Sequence, residues 1–156
     1  SEYENIKWCE DPRYIDYATM YEQFYKVMKH AYRRFSSQKN GNVSGEYRAF
    51  LDDNKWLHDY ALFMALKEEK YHHAPVYMWP EKDVRDRKPE ALARVTEELR
   101  GEIDFRIFLQ YIFFRQWNAL RAHAKEKGIQ IIGDIPIYVS ADSSDVWTSR
   151  TVQAEA

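Results

Sequence analysis

The sequence predicts a mainly α protein with one or a few buried strands, on three observations. Apolar residues recur at spacings of three and four over residues 16–35, the mark of an amphipathic helix. A second helical run, 104–127, is apolar round nearly its whole circumference as far as Trp117, which requires burial inside a larger body. Directly after it come Ile129, Gln130, Ile131 and Ile132, too apolar for a half-exposed strand. Such a short run fits a strand covered on both faces, as in a parallel sheet.

Taken in order, residues 1–15 hold Trp8, Cys9 and Asp11-Pro12 and read as a loop. From about Asp16, the residues Tyr17, Met20, Tyr21, Phe24, Val27, Met28, Ala31, Tyr32 and Phe35 give one wide apolar face. Asn40-Gly41-Asn42 marks a turn, and Ser44 is placed to cap a short helix ending near Leu51. Asp52-Asp53-Asn54 interrupts it, and the next helix runs from about Lys55 to Lys70. Its stripe of Leu57, Tyr60, Ala61 and Met64, widened by Trp56 and Phe63, reads as core rather than as a ligand platform, with His58 and Asp59 beside it. Residues 71–88, with Pro75, Trp79-Pro80 and alternating charges, read as an exposed connection. His72-His73 lacks a third ligand at a recognisable spacing, so no metal site is expected and the pair reads as a solvated helix end. Pro89 suits a first helical position, Leu92, Val95 and Leu99 make a narrow stripe, and Gly101 is a candidate break. The helix over 104–127 should close at Gly128, with Lys125 and Lys127 suiting its negative end.

Composition bounds the function. The 156 residues are enough for one good core or for a piece of a larger protein. A net charge of −2 gives no polyanion-binding signal, and the basic residues Arg106, Arg115, Arg121, Lys125 and Lys127 are interleaved with acids. Nucleic acid is therefore not an expected partner. Twelve Tyr and five Trp supply flat amphipathic side chains that stack on sugars but equally fill cores. Cys9 is the only cysteine, which excludes an internal disulfide framework and suits a reducing, cytoplasmic setting. No apolar run reaches membrane-spanning length, so no membrane partner is expected.

The acidic loop behind the β-branched run is where chemistry is expected. Gly133, Asp134 and Pro136 follow the run, then Ser140, Asp142, Ser143, Ser144 and Asp145. In barrels and doubly wound sheets, reactive groups sit just beyond the carboxyl ends of strands, which makes Asp134 a site candidate. The plain alternative is a turn-capping carboxylate. Asp142 and Asp145 suit either sugar hydroxyls or the start of a helix near Ser143, with capping favoured. Trp147 suits stacking on a sugar ring or packing.

Three blocks carry a family resemblance. Gly133-Asp134-Ile135-Pro136-Ile137-Tyr138-Val139-Ser140-Ala141-Asp142-Ser143-Ser144-Asp145-Val146-Trp147 closely resembles a signature of the 4-α-glucanotransferases, also called amylomaltases or disproportionating enzymes. Trp56-Leu57-His58-Asp59-Tyr60-Ala61-Leu62-Phe63-Met64-Ala65-Leu66-Lys67 agrees with it, as do Phe113-Phe114-Arg115-Gln116-Trp117, Leu120-Arg121 and Ala124. The resemblance covers roughly residues 45–147. It implies a (β/α)8 barrel with a helical insertion, and transfer of α-1,4-glucan segments between maltooligosaccharides without metal or organic cofactor. It also implies that the nucleophile and the acid/base lie on later strands that no segment here matches, so no catalytic residue is expected in this chain. Substrate-binding or supporting roles are carried to Asp134, Tyr138, Ser140 and Asp142, with Asp134 orienting the donor sugar and balancing charge rather than attacking.

On this reading residues 1–103 are a helical insertion, 104–147 a helix, strand and loop of the barrel, and 148–156 a tail outside the family pattern. The sequence starts at Ser1 and stops short of most of a barrel, so it reads as an internal piece whose partners are α-glucans and the remainder of the parent enzyme. The competing reading is a helical protein-interaction module without catalysis. It accounts for the wide apolar faces but not for the 133–147 block.

Overall fold

The computed structural model describes residues 2–11, 13–38 and 45–149. Two compact units divide at Ser44 and Gly45. Within the first, a 3-10 turn over Glu2–Asn5 precedes a long helix, α1, Tyr17–Gln38. Asp16 starts α1 by taking the Thr19 N–H on Oδ1 (3.0 Å) and the Thr19 hydroxyl on Oδ2 (2.8 Å), an N-cap that satisfies one of the orphan donors. Those hydrogen bonds hold the Asp16 carboxyl below its ordinary value. The expected helix is therefore present. The turn at 40–42, the Ser44 cap, Pro12 and the tail beyond Ser149 lie outside the described residues.

The second unit is a helical assembly of α2 (Gly45–Asp53), α3 (Leu57–Ala65), α4 (Lys82–Arg85), α5 (Pro89–Glu98), α6 (Arg100–Glu126) and α7 (Ser144–Thr148). Asn54 divides α2 from α3, with its side-chain amide donating to the Phe50 carbonyl (2.8 Å) and its own carbonyl accepting the Leu57 N–H (3.1 Å). α3 runs on into a π-helical turn, Leu66–Lys70, so the continuous helical run matches the expected 55–70. α3 packs along the first half of α6, and α7 packs on α3. Leu57, Leu62, Leu66 and Phe105 are completely enclosed by that packing. Burying each such side chain contributes about 1.5–3 kcal/mol.

Residues 71–88 overturn the expectation of an exposed connection. A 3-10 turn, Val76–Met78, and the short α4 fold this segment onto α3, and Trp79 and Val84 are wholly buried. Trp79 lies against Tyr71 (4.7 Å between ring centroids), Phe63 (5.6 Å) and Trp147 (5.7 Å), and its indole N–H donates to the Ala74 carbonyl (3.0 Å). The surface charges of this segment are real and Tyr77 is exposed, but Tyr71 and Trp79 point inward.

Pro89 opens α5 as expected. The break that follows falls at Leu99 (φ −106°, ψ 13°), and Gly101 lies within α6. α6 buries Ile103, Phe105, Ile107, Phe108 and Tyr111, then emerges: Phe113 and Leu120 are each 54% exposed. The buried part of 104–117 therefore ends at Tyr111, and even before it Asp104 is exposed. A bidentate pair from Arg106 to Glu68 (3.0 and 2.6 Å) fastens α6 to the π turn.

The helix stops at Gly128. Its φ of 71° is the left-handed conformation that glycine adopts without strain, the Ile129 N–H donates to the Ala124 carbonyl (2.9 Å), and the Gly128 N–H donates to Lys125 (3.0 Å). This is a Schellman cap.

The buried strand does not form. Ile129–Ile132 join no ladder, and Ile129, Ile131 and Ile132 are 61%, 47% and 92% exposed. Among the described residues there is no second strand to supply a ladder, and a lone parallel strand cannot satisfy its own edges. The expectation of one or a few buried strands is corrected accordingly: within these residues the fold is helical.

Candidate functional site

The segment from Gly128 to Trp147 is tied at its two ends and open between them. The Schellman cap fixes the entry. At the exit, Ser143 caps α7 by accepting the Val146 N–H on its hydroxyl (3.3 Å), so the expected helix near Ser143 is there and Ser143 itself is the capping residue. Asp145 lies in the first turn of α7 and is exposed, where its charge suits the positive end of the helix.

Trp147 is a packing residue. It is 1% exposed, seated on Phe63 and Trp79, and its indole N–H donates to the Val84 carbonyl (3.3 Å). The Arg87 guanidinium covers the ring at 4.4 Å, and Asp59 holds that guanidinium through a 2.7 Å hydrogen bond. Arg87 itself has φ 54°, a strained value for a side chain of this size.

Asp142 faces inward onto the helical unit. One carboxylate oxygen pairs with the Lys67 ammonium, and the other accepts the Val76 N–H (3.0 Å). Its backbone N–H donates to the Ser140 hydroxyl (3.2 Å), so Ser140 and Asp142 come together. Asp134 and Tyr138 do not join them. Both are exposed, Tyr138 by 89%, on the open stretch that also carries Ile135, Ile137 and Val139.

Sequence reasoning missed Lys67, Arg87 and the structural role of Asp59. Lys67 ends the matched helical block and Asp59 flanks its apolar stripe, which were the available signals. Neither gives the partner, because the Lys67–Asp142 pair spans 75 residues.

Two surface depressions lie elsewhere. One of about 830 Å³ is lined by Glu81, Lys82, Asp83, Lys88, Glu90 and Arg94 at the turn from α4 to α5. Another of about 290 Å³ lies between α2 and α6 over Phe50, Tyr111 and Phe114. Neither includes Asp134, Tyr138, Ser140 or Asp142. His72 and His73 are exposed, with φ of 47° and 65°, in the turn that ends the π-helical segment. Among the described residues no three His, Cys, Asp or Glu side chains converge as a metal site requires, and no helix is long and apolar enough to cross a membrane.

The model of the 4-alpha-glucanotransferase family matches residues 2–155. A 4-alpha-glucanotransferase of Clostridium butyricum is 38% identical over 151 residues, covering 97% of this chain and 30% of that protein. One from Thermus thermophilus is 40% identical over 143 residues, covering 88% of this chain and 28% of that protein. The solved amylomaltase of Streptococcus agalactiae in complex with acarbose superimposes with a TM-score of 0.86 at 40% identity, over 94% of this chain and 29% of that one. The chain thus spans about 30% of the length of the curated relatives it matches.

Proposed function

Because the chain belongs to the 4-alpha-glucanotransferase family, we propose that it is a supporting segment of a longer enzyme that moves α-1,4-glucan segments between maltooligosaccharides. The observation that carries this reading is the segment 128–147. Both its ends are fastened to a well-packed helical unit, while its middle carries a carboxylate and a row of uncovered isoleucines.

On this proposal, residues 1–103 are a helical insertion, 104–147 a helix and segment bordering a (β/α)8 barrel, and 148–156 a tail. The remainder of the enzyme supplies the strands that cover Ile131, Ile132, Ile135 and Ile137 and makes the isoleucine-rich stretch a barrel strand. Asp134 then stands at a strand end, where barrel chemistry converges. The cytoplasm is the proposed compartment.

Retaining transfer needs a nucleophilic carboxylate and an acid/base about 5 Å apart, and an acceptor hydroxyl that replaces water in resolving the glycosyl-enzyme. Within this chain the acids on the loop are Asp134, Asp142 and Asp145. Asp142 is bonded to Lys67 and Val76. Asp145 is exposed in the first turn of α7, and Asp134 is exposed on the open stretch, where the family resemblance gives it a supporting place. Its role is to orient the donor ring and balance charge beside a catalytic pair carried by the rest of the enzyme.

Maltotriose tests the proposal. The full-length protein should release glucose and build a ladder of longer oligosaccharides, and the 156-residue chain alone should do neither. A full-length protein that leaves maltotriose intact would sink the transferase reading. A ladder from the isolated chain would show that the catalytic pair is not elsewhere.

A further inference from the structure

We infer that Lys67 is a positioning residue: by holding Asp142 it clamps the exit of the Asp134-bearing segment onto the helical unit, so that the segment meets the glucan in one conformation. The inference rests on the transferase reading above and assigns that site a residue outside its own loop.

The segment has few means of fixing itself. Ile129–Ala141 are all exposed within this chain; where the proposed sheet covers the isoleucines, the loop from Tyr138 onward still depends on what holds its exit. The entry is rigid through the Gly128 cap. At the exit, Trp147 seats the five-residue α7 in an apolar slot against α3. The contact of Asp142 with the helical unit, five residues upstream, is a second hold on the exit. Each of its carboxylate oxygens accepts from a protein donor, Lys67 or Val76, which makes it a tether.

Lys67 is itself well held. It lies in the π turn, where its carbonyl accepts the His73 N–H (2.6 Å), and its ammonium sits 5.8 Å from the Phe63 ring centroid. The two side chains of the pair are only 19% and 24% exposed, so salt screens them less than a surface pair. π turns within α-helices recur at functional positions. Here the turn carries both the lysine that grips the site segment and Glu68, which grips α6.

The test compares Lys67→Met, Asp142→Asn and the double variant with Lys67→Arg in the full-length protein. Amide exchange at Val76, Val146 and Trp147 should quicken by about tenfold in the first three, while α3 and α6 keep wild-type rates. kcat for maltotriose disproportionation should fall by about tenfold with KM within about twofold, and the double variant should be no worse than either single, because one interaction is being removed. Lys67→Arg should retain most of both. Wild-type exchange and kcat in Lys67→Met would overturn the inference. So would additive losses with a raised KM, which would make Asp142 a glucan ligand in its own right. Exchange is read independently of turnover, so a protein that shows the exchange pattern but performs no transfer loses the transferase reading and keeps the clamp.

Discussion

Asp134 and Trp147 lie 13 positions apart and mark opposite kinds of residue. Asp134 is exposed and bonded to nothing among the described residues, and Asp134→Asn keeps its size while removing its charge. In the full-length protein this should cut transfer by about tenfold to a thousandfold without unfolding it, as expected of a group that positions and balances charge. Wild-type transfer rates in the variant would reduce Asp134 to a turn residue. Trp147 is the reverse. Trp147→Ala empties a slot lined by Phe63, Trp79 and Arg87, and should cost about 3–5 kcal/mol in urea unfolding of the chain. A loss below about 1 kcal/mol would refute its packing role. The sequence left both residues with two readings. What separates them is burial, a property of the neighbours and not of the residue.

Helices with a strong period were legible because their signal is local. Asp16 ahead of α1, Pro89 at the start of α5 and Gly128 after α6 each act within one turn of their own position. Residues 71–88 were not legible, since Trp79 and Val84 are buried by residues from α3 and α7 that no local pattern announces. This segment also explains a pH dependence. Burial acts to raise the Glu81 carboxyl, but Arg94, the Tyr71 hydroxyl (3.0 Å) and Lys70 (3.4 Å) outweigh it and hold the group below its usual range. A lowered folded value means that the contribution is complete above the unfolded value of about 4.3 and fades as pH falls through the lower folded one. Lys70 is raised by its bond to Glu98, so its share is complete below about 10.4 and is lost only as pH rises through the folded value. Stability followed by circular dichroism should therefore decline below pH of about 4 in the wild type and less steeply in Glu81→Gln. Equal acid slopes in the two proteins would contradict this account of the junction between the π turn, α4 and α5.

At the scale of the molecule, the second unit combines a closed core with an open edge. Leu57, Leu62, Phe105 and Trp147 are sealed, while Ile132, Ile135, Ile137 and Tyr138 are more than four-fifths exposed. The β-branched composition of 129–132 encodes a strand, yet a strand needs a neighbour for its ladder, and the described residues provide none. We propose that the neighbours of this strand belong to the rest of a glucanotransferase. Amide exchange at Ile131, Ile132, Ile135 and Ile137 tests it most directly, read in the 156-residue chain and in the full-length protein. Near-intrinsic exchange is predicted in the chain alone, with slowing by at least about a hundredfold in the full-length protein as these amides enter a sheet. Equally fast exchange in both would mean that no strand covers the segment, and would contradict the account.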